Sequence, residues 1–157
     1  MSTLPPGWTL RDATSADAEA LLSLYRAAYA PGQDPHRDRA GKPLLDSLHD
    51  VRGFLAERAV LVAEDSDGRL AGSAALRAIA NIRRVAVHPD HKKKGVAGAL
   101  VDAVVERARR EKFDHAELDT QAEHPWLPSF YARHGFVERG VETMTDGSRW
   151  LVMRQRL

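Results

Sequence analysis

The sequence predicts an α/β (α+β) fold in which helices flank a mixed, mostly antiparallel central sheet. Three observations carry this prediction. Short apolar runs of strand length recur along the chain, and turn sequences such as Asp65-Ser66-Asp67-Gly68 separate some of them. Helical apolar periodicity occurs in the N-terminal third and again from Val96 to Arg110. That later helix stands inside a single strand–helix–strand crossover. The predicted order is β-α-α-β-β-β-α-β-α-β-β.

The N-terminal third is predicted to form one strand and two helices. The strand covers Trp8 to Arg11, and Thr14 with Asp17 resembles a capping box at the start of the first helix. A polar segment from Pro31 to Pro43 connects the helices, and its length is typical of a functional loop. The apolar positions are Leu21, Leu22, Leu24, Tyr25 and Ala28 in the first helix, and Leu44, Leu48, Val51 and Leu55 in the second.

The remaining elements follow from alternation, periodicity and turn residues. A short helix from Pro125 to His134 ends at Gly135, a suitable C′ glycine. The terminal hairpin turns at Asp146-Gly147. Strands are predicted at Ala59 to Glu64, Arg69 to Ile79, Ile82 to Val87, His115 to Thr120, Phe136 to Met144 and Trp150 to Arg156.

Composition narrows the class of protein. At 157 residues the chain is expected to be a single domain spanning residues 1–157, with a hydrophobic fraction of 43% that supports a packed core. The net charge of +1 excludes a generally basic nucleic-acid binder. No cysteine is present, which excludes disulfides and thiolate zinc sites. With no visible signal peptide and no apolar run of membrane-spanning length, we expect a cytoplasmic protein without a membrane partner.

The segment His91-Lys92-Lys93-Lys94-Gly95-Val96-Ala97-Gly98 lies between a predicted strand and a predicted helix. Unpaired amides at a helix start, small residues and nearby positive charge together favour a phosphate group. The segment matches neither a Walker A loop nor a dinucleotide fingerprint. Taken alone, it leaves a second interpretation open: a solvated basic helix start whose glycines allow close packing.

Two further motifs change the balance between these interpretations. The strand ends in Val85-Ala86-Val87-His88-Pro89, and Phe130-Tyr131 precedes Gly135-Phe136. With the loop from Lys92 to Ala97, this arrangement resembles the acetyl-CoA-binding core of the GNAT N-acetyltransferase superfamily. Gln121 and the hairpin from Asp146 to Met153 resemble a branch of small bacterial acetyltransferases.

The resemblance implies acetyl-CoA as the acetyl donor and assigns roles to matching residues. Backbone groups on the strand would pair with the pantetheine arm and polarise the thioester carbonyl. Loop amides from Lys93 to Gly98 would hold the pyrophosphate, with lysine side chains adding positive charge. Tyr131 would protonate the leaving CoA thiolate, although a packed core tyrosine remains the alternative. The implied cofactor-binding residues are Val85, Ala86, Val87, Lys92, Lys93, Lys94, Gly95, Val96, Ala97 and Gly98.

The loop departs from the family pattern at two positions. Lys92 replaces the usual arginine or glutamine, and Lys93 replaces a glycine. The second change matters if the loop needs a positive φ angle at Lys93, where lysine is strained. His124 stands where asparagine is frequent. It is predicted either to contact the cofactor or acceptor, or to be a solvent-exposed residue at the helix entry.

The sequence gives fewer indications of which residues bind the amine acceptor. Arg83 and Arg84 occupy the strand where many relatives carry a carboxylate. Because successive strand residues face opposite sides, at most one of them is expected in the site, as a clamp for an acceptor carboxylate; a surface or ion-paired role is the alternative. Trp126 is expected either to wall the acceptor pocket or simply to pack. The candidates for a general base are Glu117, Asp119, Glu123 and His124, and an acceptor of depressed pKa needs none.

We therefore expect transfer of an acetyl group from acetyl-CoA to a primary amine of a small, amino-acid-like molecule. Direct attack in a ternary complex is expected, since the chain lacks a cysteine nucleophile. The alternatives are a non-catalytic acyl-CoA-binding module and a peptide or protein acetyltransferase. Nucleic-acid binding by Lys92 to Lys94 is not expected, nor is a metal, because His88 and His91 lack a third ligand. A homodimer is left open.

Overall fold

The computed structural model describes residues 3–35 and 47–157. The polar connection predicted from Pro31 to Pro43 is therefore described only as far as Pro35, and Leu44 lies outside the described residues. Over these two ranges the order of strands and α-helices is the predicted one. The strands are β1 Thr9–Asp12, β2 Ala59–Glu64, β3 Leu70–Leu76, β4 Ile82–Val87, β5 His115–Gln121, β6 Val137–Thr143 and β7 Arg149–Arg156. The helices are α1 Ala18–Ala28, α2 Leu48–Glu57, α3 Val96–Arg110 and α4 Leu127–Arg133, and short 3₁₀ turns cover Ser15–Asp17 and Pro89–His91.

The strands form two antiparallel sheets. One has the order β1-β2-β3-β4 and the other β5-β7-β6. The crossover through α3 brings β4 and β5 side by side, and an isolated parallel bridge joins Asn81, just before β4, to Glu117 within β5. Beyond that bridge the two strands are not paired as a ladder, so the edge of β4 facing β5 opens into a gap. The predicted mixed, mostly antiparallel sheet is confirmed in this divided form.

Alternation along β2 divides the core between the faces of the first sheet. Val60 and Val62 belong to the cluster formed with α1 and α2, whereas Leu61 and Ala63 belong to the cluster formed with α3. Each of the valine and leucine side chains in this set contributes about 1.5–3 kcal/mol when fully buried. None of the helices within the described ranges is both long and apolar enough to span a membrane.

Helix α3 lies unusually close to β3 at Gly72. A Cβ atom there would lie 2.8 Å from Val96 Cγ1 and 2.9 Å from both Ala86 O and Leu100 Cδ1. Only a residue without a side chain allows this approach. Because Val96 is the first residue of α3, Gly72 sets the position of the helix start relative to β4.

Side chains fix the 3₁₀ turn that leads into α1 and the start of α2. The Asp17 carboxylate accepts a hydrogen bond from the Thr14 backbone N–H at 2.7 Å, as the predicted capping pair requires. The guanidinium of Arg11 binds both Asp17 and Glu64. These bonds from Arg11 and from the backbone hold the pKa of the Asp17 carboxyl below its usual range. Ser47 caps α2 by accepting from Asp50 N–H at 3.1 Å, so the described part of that helix begins at Leu48.

Candidate active site

A bulge reshapes the middle of β4. Ser73 pairs with Ala86 and Ala75 with Arg83, so Ala74 opposes both Arg84 and Val85. Arg84 adopts a φ angle of 54°, in the left-handed region. The bulge interrupts the two-residue alternation of the strand, and Arg83 and Arg84 both line the same cleft. The expectation that only one arginine could face the site was therefore wrong.

The gap between β4 and β5 widens into a cleft of about 1320 Å³. One side of its wall is the edge of β4, where Val85, Ala86 and Val87 all line the cleft. Backbone groups on an open strand edge can pair with an extended ligand as a further strand would. The three strand residues predicted to bind the cofactor are thus brought together at one surface.

The basic loop forms the next part of the wall. The φ angles of Lys93 and Gly95 are 63° and 78°, so the chain turns twice through the left-handed region before α3 begins. The first hydrogen bond of the helix runs from Ala99 N–H to Gly95 O at 3.0 Å. The amides of Val96, Ala97 and Gly98 precede it and form the positive end of the helix dipole. The loop residues that line the cleft are Lys92, Lys93, Gly95, Val96, Ala97 and Gly98.

The side chains of Lys92 and Lys94 lie in different places and have different contacts. Lys92 reaches across the cleft, and its Nζ donates to Gln33 Oε1 at 3.2 Å. Lys94 is not among the cleft-lining residues; its Nζ lies 5.7 Å from the centre of the Trp8 ring and 3.4 Å from His91 Nδ1. Of the ten residues predicted to bind the cofactor, only Lys94 is set apart in this way, because its side chain packs on the opposite side of the loop.

Tyr131 lies on α4 and lines the cleft with 8% of its surface exposed. Its ring contacts Phe130 and Phe136. Burial raises the pKa of the Tyr131 hydroxyl above its usual range, and the charges of Tyr29 and Asp119 raise it further. The hydroxyl therefore stays protonated at neutral and mildly alkaline pH, as a proton donor must.

His124 is buried, with 1% of its side chain exposed, so the alternative of a solvent-exposed histidine at the helix entry was wrong. Its Nδ1 accepts from the backbone N–H groups of Trp126 and Leu127 at 3.3 and 3.2 Å, where α4 begins. Its Nε2 lies 3.2 Å from Asp34 Oδ2. Trp126 lies edge-on to the imidazole, is 57% exposed and lines the cleft, as a pocket wall would.

The arginines of the cleft differ in their surroundings. Arg83 forms a salt bridge with Asp119 across the gap between β4 and β5. The guanidinium of Arg84 lies 5.6 Å from the centre of the Tyr29 ring. Arg58 was missed in the sequence because a single arginine at a helix end gives no pattern. Its guanidinium lies 4.5 Å from the centre of the Phe54 ring, and it also pairs with Glu57.

Of the four residues considered as general bases, two line the cleft and two do not. Glu117 binds Arg154 through two hydrogen bonds, and Glu123 pairs with Arg149; neither carboxylate is among the residues lining the cleft. Asp119 and His124 do line it. Asp34 also lines the cleft but was not singled out in the sequence, where the only signal was its place in the polar connection after α1. Within residues 3–35 and 47–157, no cluster of three or more potential metal ligands is found.

Comparison with known proteins agrees with this geometry. Residues 42–157 match the family model described as the acetyltransferase (GNAT) domain. The S-(2-succino)cysteine N-acetyltransferase of Bacillus subtilis is 32% identical, and the alignment covers 94% of each chain. The mycothiol acetyltransferase of Clavibacter sepedonicus is 27% identical over 88% of this chain, which spans 46% of that protein's length.

A solved structure extends the likeness to the fold. The PaiA N-acetyltransferase of Thermoplasma acidophilum, determined in complex with coenzyme A, superposes with a TM-score of 0.74 at 18% identity. The superposition covers 96% of this chain and 99% of the other. At that identity the likeness establishes the fold, and the site rests on the residues described above.

Proposed function

Because the chain belongs to the GNAT acetyltransferase family, we propose that it transfers the acetyl group of acetyl-CoA to the primary amine of a small, carboxylate-bearing, amino-acid-like acceptor. Membership of the family makes it an acyl-CoA-dependent N-acetyltransferase. The acceptor class and the course of the reaction are the parts proposed here.

One observation carries the acceptor class: two guanidinium groups, those of Arg58 and Arg84, lie over aromatic rings within the cleft. Stacking fixes the plane of a guanidinium group, and the N–H edge of that plane is the part that binds a carboxylate. Arg58 Nε is buried and has no hydrogen-bond partner among the described residues. The terminal nitrogens of Arg58 and Arg84 are the groups that we expect to bind the carboxylates of an acceptor.

The Bacillus subtilis relative supports the same class. Its name gives S-(2-succino)cysteine as its acceptor, and a compound of that name carries one amine and several carboxyl groups. Such a molecule needs cationic groups beside the site of acetyl transfer. We therefore propose S-(2-succino)cysteine and related S-substituted cysteines as the first acceptors to test.

The donor side of the cleft fits acetyl-CoA. The open β4 edge offers backbone donors and acceptors along Val85 to Val87 for the pantetheine arm, and one amide of that run would stabilise the developing oxyanion. The amides from Lys93 to Gly98 would bind the pyrophosphate, with Lys92 and Lys93 adding charge. Acetyl-CoA supplies the activated acyl group as a thioester.

Donor and acceptor residues line one continuous cleft, so both substrates can be bound together. The chain has no cysteine to form a thioester intermediate, which supports direct attack of the amine in a ternary complex. We propose that Tyr131 protonates the leaving sulfur, because this residue lines the cleft and its hydroxyl remains protonated.

A CoA-release screen over S-substituted cysteines, acidic and neutral amino acids, polyamines and peptides tests the proposal. Arg58→Gln and Arg84→Gln should each raise the KM for a carboxylated acceptor by about 10–100-fold, the loss of one or two charge-assisted hydrogen bonds. The KM for acetyl-CoA should change by less than about threefold. Arg154→Gln, which removes an arginine paired with Glu117 outside the cleft lining, is the matched control. Preferred turnover of polyamines, or no CoA release, would reject the proposal.

A further inference from the structure

We propose that Asp34, oriented by His124, is the general base that removes a proton from the acceptor's ammonium group. This assignment rests on the proposed function. It names the residue that converts the acceptor's ammonium group into the free amine, which is the nucleophile. It replaces the open set of base candidates with a residue from the segment after α1, 90 positions away from its histidine partner.

The hydrogen bonds of His124 define its state. Because Nδ1 accepts from two backbone N–H groups, it carries no proton, and the proton of the neutral imidazole is on Nε2. Nε2–H therefore donates to Asp34 Oδ2 at 3.2 Å. Because hydrogen bonds within the protein already engage both ring nitrogens, His124 has no free lone pair to offer to a substrate proton.

The same bonds explain why Asp34 suits the role better than Asp119. Asp119 is in a salt bridge with the guanidinium of Arg83, so a cation of the protein already occupies its carboxylate. His124 donates as a neutral group, so it orients the Asp34 carboxylate without supplying a positive charge. An ammonium group entering the cleft would be attracted to Asp34 and would meet a fixed carboxylate.

The position of Asp34 also fits the chemistry. His124 is bonded to the backbone at the start of α4, and the same helix carries Tyr131. The side chain of Asp34 is 21% exposed and lines the cleft together with Tyr131. One short helix thus connects the proposed proton acceptor for the amine to the proposed proton donor for the sulfur.

The proton balance is complete with these two groups and solvent. The acceptor's ammonium gives one proton to Asp34, and the free amine attacks the thioester carbonyl, forming the C–N bond. The tetrahedral intermediate loses the second nitrogen proton to solvent and collapses with cleavage of the C–S bond. Tyr131 donates to the leaving sulfur and regains a proton from Asp34 through water. The sum is one amide, one CoA thiol and one proton released.

Other charged groups share the cleft and bear on any pH profile. They lie on α2, β4, the basic loop and β5. Those groups are His49, Asp50, Glu57, Arg58, Arg83, Arg84, His91, Lys92, Lys93 and Asp119.

Asp34→Asn is the direct test, because asparagine keeps the size of the side chain and an acceptor for His124. With a carboxylated amine that the wild type acetylates, we expect kcat to fall about 100-fold or more at neutral pH, the range for a lost general base. The variant should recover as pH rises, by about tenfold per pH unit, because only amine already deprotonated in solution can react. The wild type should be nearly flat over the same range. Acetyl-CoA affinity should stay within about threefold.

His124→Gln and His124→Phe test the positioning role. Glutamine keeps a hydrogen-bond donor and should retain most of the flat pH profile, whereas phenylalanine removes it and should reproduce the rising profile of Asp34→Asn. Acetyl-CoA binding shows that each variant is folded. Asp102→Asn is the matched control, since Asp102 also pairs with a histidine, at 2.8 Å from His134 Nδ1, but does not line the cleft.

The outcomes separate the two proposals. If the wild type releases no CoA with any carboxylated amine, the proposed function fails and this assignment falls with it. If the wild type turns over but Asp34→Asn keeps a flat profile and more than about a third of kcat, only the assignment to Asp34 is overturned. An effect confined to the KM of the acceptor would likewise overturn it, because it would identify a binding carboxylate that takes no proton.

Discussion

Lys93 and Gly95 share a left-handed backbone conformation two residues apart, with φ angles of 63° and 78°. Glycine adopts this conformation without steric cost, whereas a lysine places its Cβ against the backbone at a cost of about 1–2 kcal/mol. The strain at Lys93 accompanies the turn that leads into the free amides of α3. Lys93 stands where the family pattern has glycine. The loop nevertheless adopts the left-handed conformation there.

Lys93→Gly should therefore preserve both fold and function. The relief of strain and the added entropy of the unfolded glycine oppose each other, so the free energy of unfolding should change by less than about 1 kcal/mol. Acetyl-CoA affinity should remain within about threefold, because in the proposed binding mode backbone amides, and not the Lys93 side chain, hold the phosphates. Urea denaturation and calorimetric titration measure the two quantities.

Lys112→Gly is the control for that experiment, since Lys112 also has a left-handed φ angle, of 67°, but follows the end of α3. It should show a similar effect on stability and none on acetyl-CoA. A loss of affinity above about tenfold in Lys93→Gly alone would indicate that the lysine side chain, and not the backbone, holds the phosphates.

The elements predicted best from sequence are those with long, unambiguous patterns. The bounds predicted for β4, Ile82 to Val87, and for α3, Val96 to Arg110, agree with the structure, because Pro89 and Gly95 interrupt the chain between them. The division of the sheet could not be read from the sequence. It depends on how far β4 and β5 stay paired beyond Asn81, and pairing across a crossover leaves no local pattern.

The site was predictable where it depends on backbone and less so where it depends on side chains. The strand edge, the loop and Tyr131 follow one another in motifs that sequence order preserves. The bulge at Arg84 was missed because an arginine with positive φ has no signature in composition or alternation. The contact between Asp34 and His124 was missed because tertiary folding alone brings them together.

Tyr131→Phe should lower kcat by about 100-fold or more while leaving the affinity for acetyl-CoA nearly unchanged, because only the proton donor is removed. Since burial raises the pKa of the hydroxyl, the wild type should lose no activity through Tyr131 ionisation up to about pH 9. Steady-state CoA release and calorimetric titration test both statements. Equal kcat values for the two proteins would show that Tyr131 has only a packing role.

Gly72→Ala should destabilise the protein by about 1–3 kcal/mol, because the added methyl group meets Val96, Leu100 and the Ala86 carbonyl oxygen at under 3 Å. Moving Val96 also moves the amides at the start of α3, so acetyl-CoA affinity should fall in parallel. Gly140→Ala is the control, since no atom lies within 4 Å of a Cβ built there. A neutral Gly72→Ala would show that α3 shifts freely against β3.

Asp17 should make stability depend on acid pH. Its pKa is lowered in the folded protein, so the unfolded chain takes up the proton first. The stabilisation from Arg11 and Thr14 is therefore complete above the ordinary pKa of aspartate and is lost as pH falls through the lowered one. Urea midpoints between about pH 2 and 6 should fall less steeply in Asp17→Asn than in the wild type. Parallel curves would contradict this role.

The most direct test of the account is acetyl transfer from acetyl-CoA to S-(2-succino)cysteine, compared with the same compound carrying its carboxyl groups as methyl esters. CoA release and the mass of the N-acetyl product would be measured for wild type. We expect turnover of the free acid and a kcat/KM at least about 100-fold lower for the ester, because the proposed carboxylate partners of Arg58 and Arg84 are lost. Equal turnover of acid and ester, or no acetylated product from either, would contradict it.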